Sequence, residues 1–210
     1  MRRTLLISLS LVLALVGWRM VCADEWYVIP SVKKSAPVFV VANAQVPRTG
    51  QTTTYGVKDD GALQKGVAWP TPRLIDNGNG TVTDNLTGLV WLKNANGFGA
   101  VPDSAALFYA NTLASGIAGL TDGSKAGDWR LPNIRELESL IDYDRYAPAL
   151  PLSHPFANMG TGGTYWSSTA ASVTDRSKSP TWAIRFRDGF AAPFSTMSPS
   201  ISLVLCVRGP

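Results

Sequence analysis

The chain has 210 residues, 45% of them hydrophobic and 10% aromatic, with a formal charge of +4. Setting aside Arg2, Arg3 and Arg19 of the N-terminal stretch, sixteen Lys and Arg face fifteen Asp and Glu, a net charge of one. No basic run remains to suggest a nucleic-acid surface, and the length suits one domain with an appendage.

Residues 1–23 read as an export signal. Arg2 and Arg3 precede an apolar run from Leu5 to Gly17, and a small-residue site follows at Val21-Cys22-Ala23. The run is 13 residues, short of the ~20 that span a bilayer as a helix, so cleavage after Ala23 is expected rather than a retained anchor. Arg19-Met20-Val21 lacks the small residues that lipid attachment at Cys22 requires. The expected location is secreted or periplasmic, with no membrane span after cleavage. Cleavage leaves Cys206 alone in an apolar "ISLVLCVRG", where a buried, inert thiol is expected and an internal disulfide is impossible. Six tryptophans remain, which predicts an aromatic-rich core or surface.

Residues 24–46 carry "YVIPSV" and "APVFVVANAQV", broken by Pro30 and Pro37, and read as an extended lead-in. Residues 47–72 read as irregular loops with tight turns, and a domain is expected over residues 47–210. The stretch "DNGNGTVTDNLTGLVW" then alternates short β-favouring runs with Asn-Gly and Asn-Leu-Thr-Gly turns, which predicts a three-stranded meander. A helix-loop-helix calcium site is the competing reading. It needs side-chain oxygens at alternate positions, and the second and fourth residues after Asp76 are Gly78 and Gly80. Asn79 and Asn85 also head glycosylation sequons that turn chemistry alone explains.

Asp103 is expected to cap a helix through "SAALFYANTLASGIAGL", in which Ala106, Ala110, Leu113 and Ile117 share a face. In "GDWRLPNIRELESLIDY", Pro132 keeps Leu131 extended, Asn133 caps, Glu136 returns a bond to the cap, and Ile134, Leu137, Leu140 and Ile141 form a buried stripe. "TYWSST", "TWAIRFRDGFAAPF" and "ISLVLCVRG" read as strands, with a hairpin turn at Asp188-Gly189. Strands, two helices and strands in that order predict an α+β fold whose antiparallel sheet brings N- and C-terminal strands together.

The pieces "TGQTTTYGVKDDGALQKGVAWP", "DNGNGTVTDNLTGLVWLK", "DWRLPNIREL", "YWSST", "FRDG" and "CVRG" resemble the Lcl C-terminal domain family from about Pro47 to Gly209. The resemblance implies a C-type lectin-like fold, distantly related to the formylglycine-generating fold and to variable phage receptor-binding proteins. It implies no chemistry; members known to act are adhesin-like and bind glycans such as sulfated polysaccharides. Leu205 stands before Cys206 where such sequences often carry arginine, which argues against transferring an anion site to the C-terminus.

Constellations for catalysis are few. His154 is the only histidine, so with one mature cysteine a tetrahedral zinc site of Cys and His lacks ligands, and no Gly-x-Ser-x-Gly elbow is present. A single cysteine cannot supply the cysteine pair of the formylglycine-generating oxidases. Glu138 and Asp142 are expected on one helical face, balanced by Arg135, with Asp144 beyond. The favoured expectation is a binding module without enzymatic activity, cofactor or metal, recognising a glycan or a protein. Its candidate ligand-binding residues are Tyr165, Trp166, Arg185, Arg187, Asp188 and Phe190. By strand period, Trp182, Ile184 and Phe186 face the core while Arg185 and Arg187 share the other side, where they fork onto an anion or line a plain solvated edge. Tyr165 and Trp166 point to opposite faces, so one ring is expected to be free to stack on a sugar. Two competing expectations are an accessory subunit of an envelope assembly docking through residues 24–46, and a hydrolase using the Glu138 region.

Overall fold

The tight turns of the meander set the start of the fold. In the computed structural model, which describes residues 46–171, 180–194 and 201–209, β1 (Leu74–Asp76), β2 (Thr81–Asp84) and β3 (Val90–Leu92) pair antiparallel. Gly78 and Gly80 take φ of 73° and 84°, and Asp76 Oδ1 accepts from the Gly78 N–H at 3.0 Å. Asp76 Oδ2 meets Lys93 Nζ at 2.6 Å. The Asp76 oxygens thus serve a turn and an ion pair, as the meander reading requires. The signal and lead-in, residues 1–45, lie outside the described residues.

The remaining strands are β4 (Val101–Pro102), β5 (Thr164–Ala170), β6 (Thr181–Arg185), β7 (Phe190–Phe194), β8 (Ile201–Ser202) and β9 (Val207–Arg208). They form three antiparallel sheets with orders β1-β2-β3-β9, β4-β8 and β5-β6-β7. "ISLVLCVRG" is two short strands rather than one; between them Val204, Leu205 and Cys206 are buried, and burial pushes the Cys206 thiol up to about 12. The last strand joins the sheet of the first through β3, not β1.

Three helices are described where two were expected. The addition is α1 (Asp60–Leu63), capped by the Asp59 side chain, within a stretch whose Gly and Thr content reads as loop. Helix α2 (Asp103–Thr112) starts one residue earlier than expected, with Pro102 at the cap position. Asp103 is its first helical residue, and its Oδ2 accepts from Thr181 Oγ1 at 3.1 Å. The helix stops before Ile117, which is 43% exposed. Gly116, at φ 95°, instead turns the chain so that its N–H reaches Leu120 O and both Leu113 and Leu120 are buried.

The cap of helix α3 (Ile134–Ser139) is built as the sequence predicts, but the helix stops short of Leu140 and Ile134 is only partly buried. Asn133 Oδ1 accepts from Glu136 N at 2.9 Å, and Glu136 Oε2 accepts from Asn133 N at 2.8 Å. Arg130 adds a fork to both Glu136 oxygens at 2.6 and 2.7 Å. Burial works against the Glu136 charge, and the Arg130 fork and Asn133 N–H outweigh it, holding the carboxyl below its ordinary range. Leu137, Leu140 and Ile141 are buried in one core with Trp91, Trp129, Trp166 and Phe186. All described residues belong to one compact unit, residues 44–210. Among them, no helix is long and apolar enough to cross a membrane.

Leu137 is fully buried, so Leu137→Ala should lower the unfolding free energy by about 2–5 kcal/mol, and Asn133→Ala by about 1 kcal/mol. Urea titrations followed by tryptophan fluorescence check both. A Leu137→Ala loss no larger than the cap variant's would mean that α3 does not pack as described.

Candidate functional site

The β6–β7 hairpin pairs Arg185 with Phe190 and turns at Gly189, whose φ is 77° and whose N–H donates to Arg185 O at 3.0 Å. The hairpin end is fixed from below: a Cβ at Gly189 would stand 2.9 Å from Ile141 Cγ2. The neighbouring chain is laced to it by Ala147 N–H to Arg187 O at 2.8 Å and Ala149 N–H to Phe186 O at 2.7 Å.

Four of the six predicted site residues meet on this hairpin end. Arg185 forks onto Asp188, Nε to Oδ1 at 2.9 Å and Nη2 to Oδ2 at 2.5 Å, and Asp188 Oδ1 also accepts from Phe190 N. The Arg185 bond holds the Asp188 carboxyl below its ordinary range. The Arg185 guanidinium also lies 5.3 Å from the Phe190 ring centre. Arg187 donates from Nε to Tyr146 Oη at 2.6 Å and sits 5.2 Å from that ring centre, and its Nη groups make no hydrogen bond among the described residues. Phe190, Tyr146 and Tyr143 are 52%, 63% and 55% exposed. The result is a surface on which Phe190 lies by Arg185 and Tyr146 by Arg187, with Tyr143 beside the Gly189 turn and Arg185 already neutralised by Asp188.

Tyr165 and Trp166 do not join it. Both are buried, which corrects the expectation that one ring is free to stack. Strand β5 is covered on both faces: Tyr165 packs edge-on against Phe186 at 5.0 Å and accepts from Gly160 N, while Trp166 donates from Nε1 to Val101 O at 2.8 Å and packs against Phe194. Burial pushes the Tyr165 phenol up to about 12. Ile184 and Phe186 are core as predicted, whereas Trp182 is only partly buried.

The hydrolase geometry is also corrected. Helix α3 ends at Ser139, so Asp142 does not share a helical face with Glu138. Glu138 pairs with Arg135 at 2.9 Å, and Asp142 is buried, its Oδ1 accepting from Asp144 N. Burial raises the Asp142 carboxyl. His154 is half-buried 5.9 Å from Phe156, and it lines a separate cleft with Arg73, Leu74 and Pro151. Burial lowers its imidazole pKa. Among the described residues, no three His, Cys, Asp or Glu side chains come together as metal ligands.

Tyr143 and Tyr146 are the residues that sequence reading missed. Their signal is "DYDRYAP", where two aromatic residues alternate with charges just before a proline and carry no core period. Asp144 between them anchors the segment, accepting from Thr52 Oγ1 at 2.6 Å and Thr53 N at 3.1 Å.

The family model described as the Lcl C-terminal domain matches residues 80–208, which include all three sheets except β1 and leave out the 47–79 stretch. No curated protein matches the chain.

Asp144 supplies a pH test of the loop anchor. The Thr52 hydroxyl, followed by the Thr53 N–H, lowers its carboxyl from 3.8 to about 2. A folded value below the unfolded one means the tie is fully present above about pH 4 and is lost as pH falls toward 2. In Thr52→Val, carboxyl-carbon NMR should find Asp144 titrating closer to 3.8. An unmoved midpoint would show that Thr52 is not what holds it.

Proposed function

The chain belongs to the Lcl C-terminal domain family, and on that premise we propose an exported, non-enzymatic binding module of C-type lectin-like fold that recognises a glycan or a protein surface. The observation that carries the reading is the exposed cluster of Phe190 by Arg185, Tyr146 by Arg187 and Tyr143 beside the Gly189 turn. Exposed aromatic rings beside arginine suit recognition, because rings give large contact area with few rotamers to freeze and a guanidinium supplies directional donors. Aromatic residues and arginine are also the types enriched where binding energy concentrates.

Recognition fits the chemistry of the cluster better than acid–base work. Its carboxylates are engaged, Asp188 by Arg185 and Asp144 by Thr52 and Thr53. Arg185 acts as the internal brace of the hairpin, and Arg187, whose terminal nitrogens make no hydrogen bond among the described residues, is the group that meets a ligand. The export signal expected over residues 1–23 places this work outside the cytoplasm.

A glycan array, combined with binding to immobilised extracellular proteins, tests the proposal. Arg187→Ala and Phe190→Ala should each weaken the captured interaction at least tenfold, about 1.4 kcal/mol, with the amide spectrum of the fold retained. Undiminished binding in both variants would remove this face from the function.

A further inference from the structure

Residues 48–69 build a second concavity, outside the part of the chain that the family model matches. It is a pocket of about 150 Å³ lined by Arg48, Gly50, Gln51, Thr52, Gln64 and Trp69. That volume lies below the roughly 300–1,000 Å³ of pockets for drug-sized ligands, so it suits one small ring.

Its walls are fixed by the backbone. Arg48 N–H donates to Val67 O at 3.0 Å, and Trp69 Nε1 donates to Arg48 O at 2.9 Å. Gly50, at φ 90°, lets the chain pass where a Cβ would stand 2.5 Å from both Trp69 Cη2 and Asp142 Oδ1. One face of the indole is covered by the Arg73 guanidinium, 4.1 Å from the ring centre, and the indole also lines the pocket.

Thr52 and Gln64 are engaged, Thr52 Oγ1 donating to Asp144 at 2.6 Å and Gln64 Nε2 to Gly61 O at 3.3 Å, which leaves Arg48 and Gln51 as the weakly held polar groups of the wall. Arg48 has no ion-pair partner among the described residues. Among the described residues its only side-chain hydrogen bond is a long one, Nη1 to Gln64 Oε1 at 3.4 Å, and its Nε is buried without a partner there. The Gln51 side-chain amide makes no hydrogen bond among the described residues. Asp142, the nearest buried acid, stands behind Gly50 and does not line the pocket; the charges it feels are those of Arg145, Asp144 and Arg73. The Arg73 charge is in turn paired with Asp84 at 3.4 Å. Arg48 is the one charged side chain among the residues that line the pocket, and the nearby Asp144 carboxylate is held by Thr52 and Thr53.

We propose that this pocket binds a carboxylate carried on a single sugar-sized ring, a sugar acid. The Arg48 guanidinium takes the carboxylate, the Trp69 indole takes the ring, and the Gln51 amide takes a ring hydroxyl. Guanidinium and carboxylate match in planar, two-bond geometry, which selects this anion over a neutral ring. The site does not rest on the hairpin face around Arg187, and either can fail without the other.

NMR titration of the full chain, read at the Trp69 indole N–H, tests it with D-glucuronate and D-galacturonate as ligands, D-glucose as the neutral ring and acetate as the bare carboxylate. At least one uronate should saturate the shift, with glucose and acetate at least tenfold weaker. Arg48→Gln should weaken the uronate at least tenfold, Gln51→Ala severalfold, and Arg187→Ala should leave it unchanged. No saturable response to either uronate overturns the proposal, as does glucose or acetate binding as tightly as the uronate. Full uronate affinity in Arg48→Gln overturns it too. The comparison among the four ligands uses the unaltered protein, so it decides even where a variant fails to fold.

Discussion

Residues 201–208 are hydrogen-bonded to every sheet in the domain, and the fold depends on that one buried segment finding all its partners at once. β8 pairs with β4, and Leu203 exchanges bonds with β5 through Thr164 O and Trp166 N. Cys206 O then accepts from Leu92 N, and β9 pairs with β3 on one side while Val207 exchanges two bonds with Arg130 on the other. Each such bond contributes only about 1 kcal/mol net, but an unmade one in a buried strand leaves a desolvated amide that costs as much or more. A partial docking of the segment is therefore unfavourable, and the two-stranded β4-β8 sheet in particular depends on it.

The motif "DWRLPN" converts that backbone closure into a fixed position for α3. Arg130 gives its main chain to Val207 and its side chain to Glu136, so a single residue joins the last strand to the capping box. Trp129 lies under the guanidinium of Arg208, 4.9 Å from its ring centre, and Arg208 also stands 3.0 Å from the buried Asp122. Leu137, Leu140 and Ile141 carry the chain across the core to the underside of the hairpin, where Ile141 meets Gly189. Strand pairing at the C-terminus and loop placement at the hairpin end are thus connected by packed side chains throughout.

What was legible in the sequence follows from how local the cause is. The Asn-Gly turns, the Asp188-Gly189 hairpin and the Asn133–Glu136 box are each decided within a few residues, and each is found where the sequence puts it. The end of α2 is not local: helical period continues to Ile117, but burying Leu120 beside Leu113 favours a turn at Gly116. The fate of Tyr165 and Trp166 is less local still. Period two separates their faces correctly, yet exposure depends on whether something covers the second face, and Phe194 and the Val101 carbonyl arrive from remote parts of the chain. Tyr143 and Tyr146 escaped for the opposite reason, since a loop aromatic has no period to reveal it.

The hairpin end is held in place by bonds within the chain, which is what the proposed binding role asks of it. Side chains that must be frozen on binding oppose affinity, so groups already held contribute more of their contact energy. Arg185 is held by Asp188, the Tyr146 hydroxyl by Arg187, and the Tyr143 backbone by Thr49 O. Asp144 fastens the same loop to Thr52 and Thr53, residues that lie outside the family match. The 46–79 stretch therefore braces the loop that carries two of the three exposed rings. A core that registers through its last strand, together with loops tied by short side-chain bonds, lets the exposed residues vary while the positions from which they project stay constant, which is the physical requirement for a recognition scaffold.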